Sequence, residues 1–323
     1  MIKNSLSVSF IIIGQNSART LEKCLRSIIL ASETTPFINN LELIYVDSKS
    51  SDNSLKIAEK YGAKIIEITD GYTSASLGRH LGLKYSIYSD ILFIDADMEL
   101  EKNWFNNCID YYHKYGAIHG DRYEKIYLKN VLVKEIENFY QINTLEKSDN
   151  IGGCFMVKRR FLGNCNFRPR IKDEEERDIY AQFLKNGEVY RLPFQMFVHN
   201  NYKDTNSKIL TYFRPFSKIG YLISKFYSIK YGYFLNYCKI QKFYLLSIFL
   251  SFIFYGGFIF MDYRFSLLSV IMLRVLNKKY FIGACATMLF FPYKFIMAII
   301  FWRQRLYYSY NFELREYSNI KVN

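Results

Sequence analysis

The stretch Ile91-Leu92-Phe93-Ile94-Asp95-Ala96-Asp97 decides how this chain is read. Four apolar residues rich in β-formers predict a buried strand. The strand runs straight into two carboxylates one residue apart. In extended backbone, residues i and i+2 point to the same side. Asp95 and Asp97 are therefore expected to face one ligand at the strand's C-terminal end, where open α/β sheets bind ligands. Carboxylates held that close repel each other, and a hard divalent cation such as Mg²⁺ or Mn²⁺ relieves the repulsion. A polar loop capping the next helix is the competing reading, and a motif this short fits it about as well.

Upstream, the pattern repeats. Residues 7–13 (Ser-Val-Ser-Phe-Ile-Ile-Ile) are mostly apolar rather than strictly alternating, as expected of a parallel strand buried on both faces. Gly14-Gln15-Asn16-Ser17 breaks it, and Ala18 to Ala31 carries Leu21, Leu25, Ile28 and Ile29 at helical spacing. Residues 41–46 predict a second strand ending at Asp47. Asp52 and Ser54 are cap residues for a helix reaching about Tyr61. Lys64 to Ile68 predicts a third strand, and Ser74 to Ser86 a helix. Strand and helix thus alternate up to Asp95, the signature of an α/β fold with a doubly wound sheet. The first loop lacks G-x-G-x-x-G, and no G-x-x-x-x-G-K-[ST] occurs, which excludes the common dehydrogenase and P-loop fingerprints.

Downstream, Glu101 to Tyr115 predicts a helix, with short strands around 117–128 and 153–158. Gly152-Gly153 allows close backbone approach to a ligand, although a simple turn explains two glycines equally. Asp173-Glu174-Glu175-Glu176-Arg177-Asp178 opens a helix that ends at Gly187, and acidic residues suit a helix start on dipole grounds alone.

Composition narrows the partners. The chain has 323 residues, is 50% hydrophobic and 18% aromatic, and carries a formal net charge of +13. It is long and apolar enough for a sizeable core, and its basic balance points to an anionic partner. The cysteines Cys24, Cys108, Cys154, Cys165, Cys238 and Cys285 form no C-x-x-C pair, so neither a zinc site nor a redox dithiol is indicated. They fit reduced thiols in the cytosol. The run Val8 to Ile13 is too short to span a membrane and reads as a strand, with the chain starting in the cytoplasm. From Lys203 to Lys242 every charged residue except Asp204 is Lys or Arg, interleaved with Tyr and Phe. Residues 243–261 carry no charge, and 280–302 are interrupted only by Pro292 and Lys294. Such runs are long enough to span a bilayer, so 203–242 reads as interfacial helices and not as a nucleic-acid platform. Arg264, Arg274, Lys278 and Lys279 between the two spans run against the positive-inside tendency.

Several stretches taken together resemble the inverting family 2 glycosyltransferases of GT-A fold. They are Val8 to Asn16, Tyr45-Val-Asp-Ser-Lys-Ser-Ser-Asp52, Leu77-Gly-Arg79-His80-Leu-Gly82, Ile91 to Asp97, Gly152-Gly153-Cys-Phe-Met-Val-Lys158-Arg, and Glu175-Glu176-Arg-Asp178 with Gly187 downstream. They follow the family's order over residues 6–200. The resemblance implies a nucleotide-sugar site with Asp47 at the base or ribose and Asn16 beside it. Arg79 would lie near the diphosphate or support the site, with Asp95 and Gly153 also nucleotide-sugar-binding. The metal would be held by Asp97 and Asp95, with His199 as a further ligand. Glu176 stands at the position of the family's catalytic Asp, with Glu175 as the neighbour that a one-residue shift would select. His80 stands where the family usually has Asn.

The expected organisation is a GT-A domain over 1–202 with a mixed sheet. Interfacial helices follow over 203–242, then membrane segments over 243–305 and a tail over 306–323. The expected activity is inverting transfer of a sugar from a nucleotide-sugar donor to a lipid-linked or glycan acceptor at the cell membrane. The catalytic domain is expected to face the cytoplasm, with no nucleic-acid partner and with self-association allowed. Met98-Glu-Leu-Glu-Lys-Asn-Trp104 after the D-x-D replaces the Gln-Asp-Pro-Pro-Glu-like segment of polyprenyl-phosphate glycosyltransferases. Neither Trp104 nor Trp302 has the preceding Arg of the processive Q-x-x-R-W motif. A catalytically silent sugar-nucleotide-binding protein is the alternative of another class.

Overall fold

A computed structural model describes residues 5–69, 71, 73–169, 171, 175–203, 228–240, 246, 249–250, 253–255 and 320–323. The chain divides into two compact units: Met1–Asn206 together with Tyr317–Asn323, and Ser207–Glu316.

The first unit begins with three strand–helix repeats and a fourth strand: β1 (Leu6–Gly14), α1 (Leu21–Glu33), β2 (Ile38–Asp47), α2 (Ser54–Lys60), β3 (Lys64–Ile68), α3 (Ala75–Tyr85) and β4 (Asp90–Asp95). β1 pairs in parallel with β2 on one side and β4 on the other, and β2 pairs in parallel with β3. β1 is apolar from Phe10 to Ile13 because both its faces are covered there. Val8, Phe10 and Ile12 join the cluster that contains Leu25, Ile28 and Trp104. Ile11 and Ile13 meet α3 on the opposite face. Burial of each such side chain contributes ~1.5–3 kcal/mol.

The two glycines in α3 explain how the helix sits there. A Cβ at Gly82 would fall 2.2 Å from Ile11 Cγ2, and one at Gly78 would fall 3.1 Å from Ile13 Cγ2. Each glycine costs about 1 kcal/mol of helix propensity. Without them the helix could not lie this close to β1. Ser74 caps the helix by accepting from Leu77 N at 3.0 Å.

Beyond β4 the sheet changes character. β5 (Met98–Leu100), α4 (Trp104–Tyr115), β6 (Ala117–Leu128), β7 (Val131–Ile136), β8 (Glu146–Lys147), β9 (Phe155–Lys158), α5 (Arg159–Leu162), α6 (Glu175–Phe183) and β10 (Tyr190–Lys203) follow. β9 runs antiparallel between β4 and β6, while β10 lies parallel to β6 and antiparallel to β5. Among the described residues the sheet has 11 strands, with β11 (Ile320–Val322) at one edge, in the order β11-β3-β2-β1-β4-β9-β6-β10-β5, with β7 on β6 and β8 on β10. The doubly wound parallel pattern therefore holds only up to β4, and the sheet as a whole is mixed.

Some element boundaries differ from expectation for local reasons. α1 starts at Leu21 and not at Ala18, because Ala18 N donates to Asp52 Oδ2 at 2.9 Å and Ser17 to Thr20 form a turn. α4 starts at Trp104 and not at Glu101, whose amide donates to Met196 O at 2.8 Å. The expected tail over 306–323 is not wholly a tail. Ile320–Val322 form β11, antiparallel to β3, with Lys321 opposite Glu67.

In the second unit, α7 (Phe234–Ile240) buries Tyr237 and exposes Leu235. Within the expected interfacial region 203–242, residues 204–227 and 241–242 lie outside the described residues, as do 243–261 apart from 246, 249–250 and 253–255, and all of 280–302. Among the described residues, no helix is long and apolar enough to cross a membrane.

Candidate functional site

Parallel pairing fixes where the site lies. Gly14 is in register with Asp47, and Ile13 with Asp95, so three strands end together at one sheet edge. Gly14 is required there, since a Cβ would fall 2.6 Å from Ser17 Oγ and 2.9 Å from Ala96 Cβ.

The loops after β1 and β2 are laced together. Asn16 adopts φ 50°. Its amide donates to Ser50 Oγ at 2.7 Å, and its Oδ1 accepts from Ser51 N at 2.8 Å. Asp47 is fully buried, and its carboxylate accepts from Tyr45 Oη at 3.1 Å and from Ser50 N at 2.8 Å. Asp47 thus organises the loop from within, whereas Asn16 stands at its exposed rim. Burial, and then the Asp47 charge, push the Tyr45 phenol up.

Arg79 is the hub of the next group. Its side chain is only 1% exposed. Nη2 donates to Asp95 Oδ1 at 2.7 Å, Nη1 donates to Glu175 Oε1 at 2.8 Å, and Glu176 Oε1 lies 3.8 Å from Nη2. Arg79 comes from α3, Asp95 from the end of β4 and the two glutamates from α6, so one guanidinium ties three elements together. Burial pushes the Glu175 carboxyl up to about 7, and repulsion from Glu176 adds to this against Arg79. Asp95 is raised for related reasons: burial has the largest effect, and Asp97 and Glu176 add to it against Arg79. Three carboxylates share one cation, so the group remains short of positive charge.

Gly153 abuts this hub. A Cβ there would fall 2.1 Å from Asp95 Oδ2. Its place beside Asp95 follows from β9 pairing with β4, Phe155 lying opposite Phe93. His80 turns elsewhere, with Nδ1 3.0 Å from Asn166 Oδ1.

Asp97 faces a different partner. It sits in the turn between β4 and β5, and its Oδ2 lies 3.4 Å from His199 Nε2. Asp97 Oδ1 is buried and has no hydrogen-bond partner among the described residues. Two-residue alternation therefore does not place Asp95 and Asp97 on one ligand in this structure, because the chain turns between them. His199 Nδ1 is 2.7 Å from Glu124 Oε2. Burial works against a charge on His199, yet Asp97 and Glu124 hold it up at about 9. Asn200 N donates to Asp97 O at 2.9 Å and fixes the turn against β10.

The expected three-ligand set of Asp95, Asp97 and His199 is not formed. Among the described residues, no group of three His, Cys, Asp or Glu is placed to hold a metal ion. Asp95 is bonded to Arg79, which leaves Asp97 and His199 as a pair. Glu124 escaped the sequence reading altogether. It lies 75 residues from His199 in the chain, and only the β6–β10 register makes them neighbours.

Comparison with known proteins agrees with this architecture. Residues 9–165 match the family model described as glycosyl transferase family 2. Over 99 residues the chain is 32% identical to 4,4'-diaponeurosporenoate glycosyltransferase of Staphylococcus haemolyticus (strain JCSC1435), a match covering 29% of this chain and 25% of that protein. Among solved structures, S. aureus TarS 1-349 in complex with UDP-GlcNAc is 17% identical with a TM-score of 0.51, covering 62% of this chain and 60% of that one. GalNAc-T7 with UDP, GalNAc and Mn²⁺ is 16% identical with a TM-score of 0.52, covering 68% of this chain and 48% of that one. At these identities the two structures speak for the fold alone. The family match stops short of α6, so Glu175 and Glu176 are placed by the fold and not by the match. Residues 9–165 thus resemble glycosyl transferase family 2, and they lie within a mixed α/β sheet whose fold is that of glycosyltransferases of known structure.

Proposed function

We propose that this chain is an inverting glycosyltransferase that moves a sugar from a nucleoside diphosphate donor to a membrane-associated, lipid-linked or glycan acceptor. The observation that carries the reading is the division of labour around Arg79. Arg79 holds Asp95 at 2.7 Å and Glu175 at 2.8 Å, with Glu176 farther off at 3.8 Å; of the two glutamates Glu175 is 8% exposed and Glu176 31%, and Asp97 on the β4–β5 turn is 44% exposed.

Glu176 is then the general base, and Glu175 its buried neighbour held by Arg79. Glu176 takes the proton of the acceptor hydroxyl as the new C1–O bond forms and the bond from C1 to the diphosphate oxygen breaks on the opposite face. Base assistance of this kind contributes ~10²–10⁴ in rate. Asn16 and the loop held by Asp47 line the nucleoside side of the strand edge. Gly153 leaves room for Asp95 beside Arg79.

The chemistry of the donor set fits a hard divalent cation, Mg²⁺ or Mn²⁺. Such ions take few protein ligands when substrate phosphates fill the remaining positions. Asp97 and His199 present an oxygen and a nitrogen 3.4 Å apart, and the second Asp97 oxygen is buried without a partner among the described residues. When bound, the ion would act as a Lewis acid on the departing diphosphate.

The membrane assignment is supported by the basic, aromatic stretch 203–242 and by the apolar runs 243–261 and 280–302. β11 and β10 belong to the same unit. Any crossings between them therefore come in an even number, as two spans with a cytoplasmic catalytic unit require. The test is to incubate host membranes carrying the chain with radiolabelled nucleotide sugars and to extract the lipids. Label is expected in the organic phase with the parent chain and not with Glu176→Gln. Label confined to water-soluble products from the parent would overturn the lipid-linked acceptor.

A further inference from the structure

Glu124 is a buried carboxylate with a full set of partners and no part in the chemistry so far. It is 3% exposed and stands opposite His199 in the parallel β6–β10 register. Oε2 meets His199 Nδ1 at 2.7 Å and Arg122 Nε at 3.1 Å, and Oε1 accepts from Asn201 Nδ2 at 2.8 Å. Burying a charge in this way costs several kcal/mol unless partners satisfy it. Here Arg122 and Asn201 hold one carboxylate against one imidazole nitrogen. An ionised carboxylate only accepts, so Nδ1 donates to Glu124 and Nε2 is the nitrogen turned toward Asp97, its proton leaving to solvent when a cation binds.

We infer that Glu124 is the positioning residue of this site, fixing the orientation and tautomer of His199 so that Nε2 and Asp97 together present a two-atom bite to a divalent cation. The inference rests on the reading of Asp97 and His199 as ligands given under the proposed function. Carboxylates behind a ligating histidine set its ring orientation and basicity, and their loss weakens metal binding by ~10–100-fold. Glu124 does this across a strand pair: its side chain touches His199, and through His199 it acts on the ion.

The experiment is a double-mutant cycle on the full chain, reading Mn²⁺ binding from the free-ion electron paramagnetic resonance signal. Glu124→Gln is expected to weaken Mn²⁺ binding ~10–100-fold, and His199→Ala at least as much. The double variant is expected to match His199→Ala, since Glu124 has nothing to orient once the imidazole is gone. Parent-like binding by Glu124→Gln overturns the inference. So does a further loss in the double variant, which would mean that Glu124 acts by field or by folding and not through His199. Parent-like binding by His199→Ala instead overturns the ligand assignment beneath it. Should Glu124→Gln melt well below the parent without metal, Asn201→Ala carried through the same cycle reads the same coupling.

Discussion

The two halves of the sheet were built by different rules. From β3 to β4 the strands are parallel, each is joined to the next by its own helix, and register aligns Gly14, Asp47 and Asp95 at one edge. From β9 to β5 the strands are mixed and pair with partners far along the chain. The first half holds the loops proposed for the nucleoside, and the second brings Glu124 and His199 to the seam. The strand-end motif lies on that seam, and its two aspartates have different closest partners: Asp95 meets Arg79, and Asp97 meets His199. A motif legible as one unit in sequence thus meets two different partners, one from each half of the sheet.

The largest effect expected of a substitution belongs to Glu176. Glu176→Gln should lower kcat by ~10²–10⁴ while leaving donor affinity close to the parent value. Equal losses in Glu175→Gln and Glu176→Gln, measured by steady-state kinetics, would erase the distinction drawn between buried and open glutamates.

The second half also predicts an acid sensitivity. His119 on β6 is 1% exposed, with Nε2 2.7 Å from Ser148 Oγ. Burial, aided by Arg191, depresses it from 6.5 to about 3. A histidine held neutral in the fold contributes stability that is complete above pH 6.5 and is lost as pH falls toward 3. His119→Gln cannot gain that proton, so its unfolding free energy should fall less steeply over this window, by on the order of several kcal/mol at the acid end. Chemical denaturation at a series of pH values checks this, and parallel curves would contradict it.

At the seam itself, Gly153→Ala drives a Cβ into Asp95 and should cost ~10²-fold in activity through misplacement of the Arg79 group. In the first half, Gly82→Ala pushes α3 off Ile11 and should cost ~1–3 kcal/mol of stability by denaturant titration. It should have less effect on donor affinity than Gly153→Ala, and the reverse order would blur the contrast between seam and scaffold. The smallest effect belongs to the sheet edge. Lys321 and Glu67 are paired residues of β11 and β3, so cysteines at both positions should cross-link readily under mild oxidation. Absence of a cross-link would remove β11 from the first unit.

Much of the first half was legible because its information is local. The apolar run Phe10 to Ile13 of β1, the helix following Ser74 and the Lys64–Ile68 strand each lie within a few residues of what determines them. Asp95 and Asp97 were found for the same reason. Their separate partners were not, since strand alternation fails at the turn through Ala96. Arg79 was noticed, yet its link to Glu175 spans 96 residues and no periodicity reports it. Glu124 left no mark at all, because a lone acid in a strand gains meaning only from the neighbour that register supplies. β11 was hidden too, a three-residue strand far from its partner.

Central to the proposed mechanism is direct attack by an acceptor hydroxyl, deprotonated by Glu176, on the face opposite the leaving diphosphate. The most direct measurement is the anomeric configuration of the first-formed product, read by nuclear magnetic resonance from the nucleotide sugar that labels the lipid extract. Direct displacement predicts a glycosidic bond inverted relative to the donor and absent from Glu176→Gln reactions. Retention of the donor's configuration would contradict it.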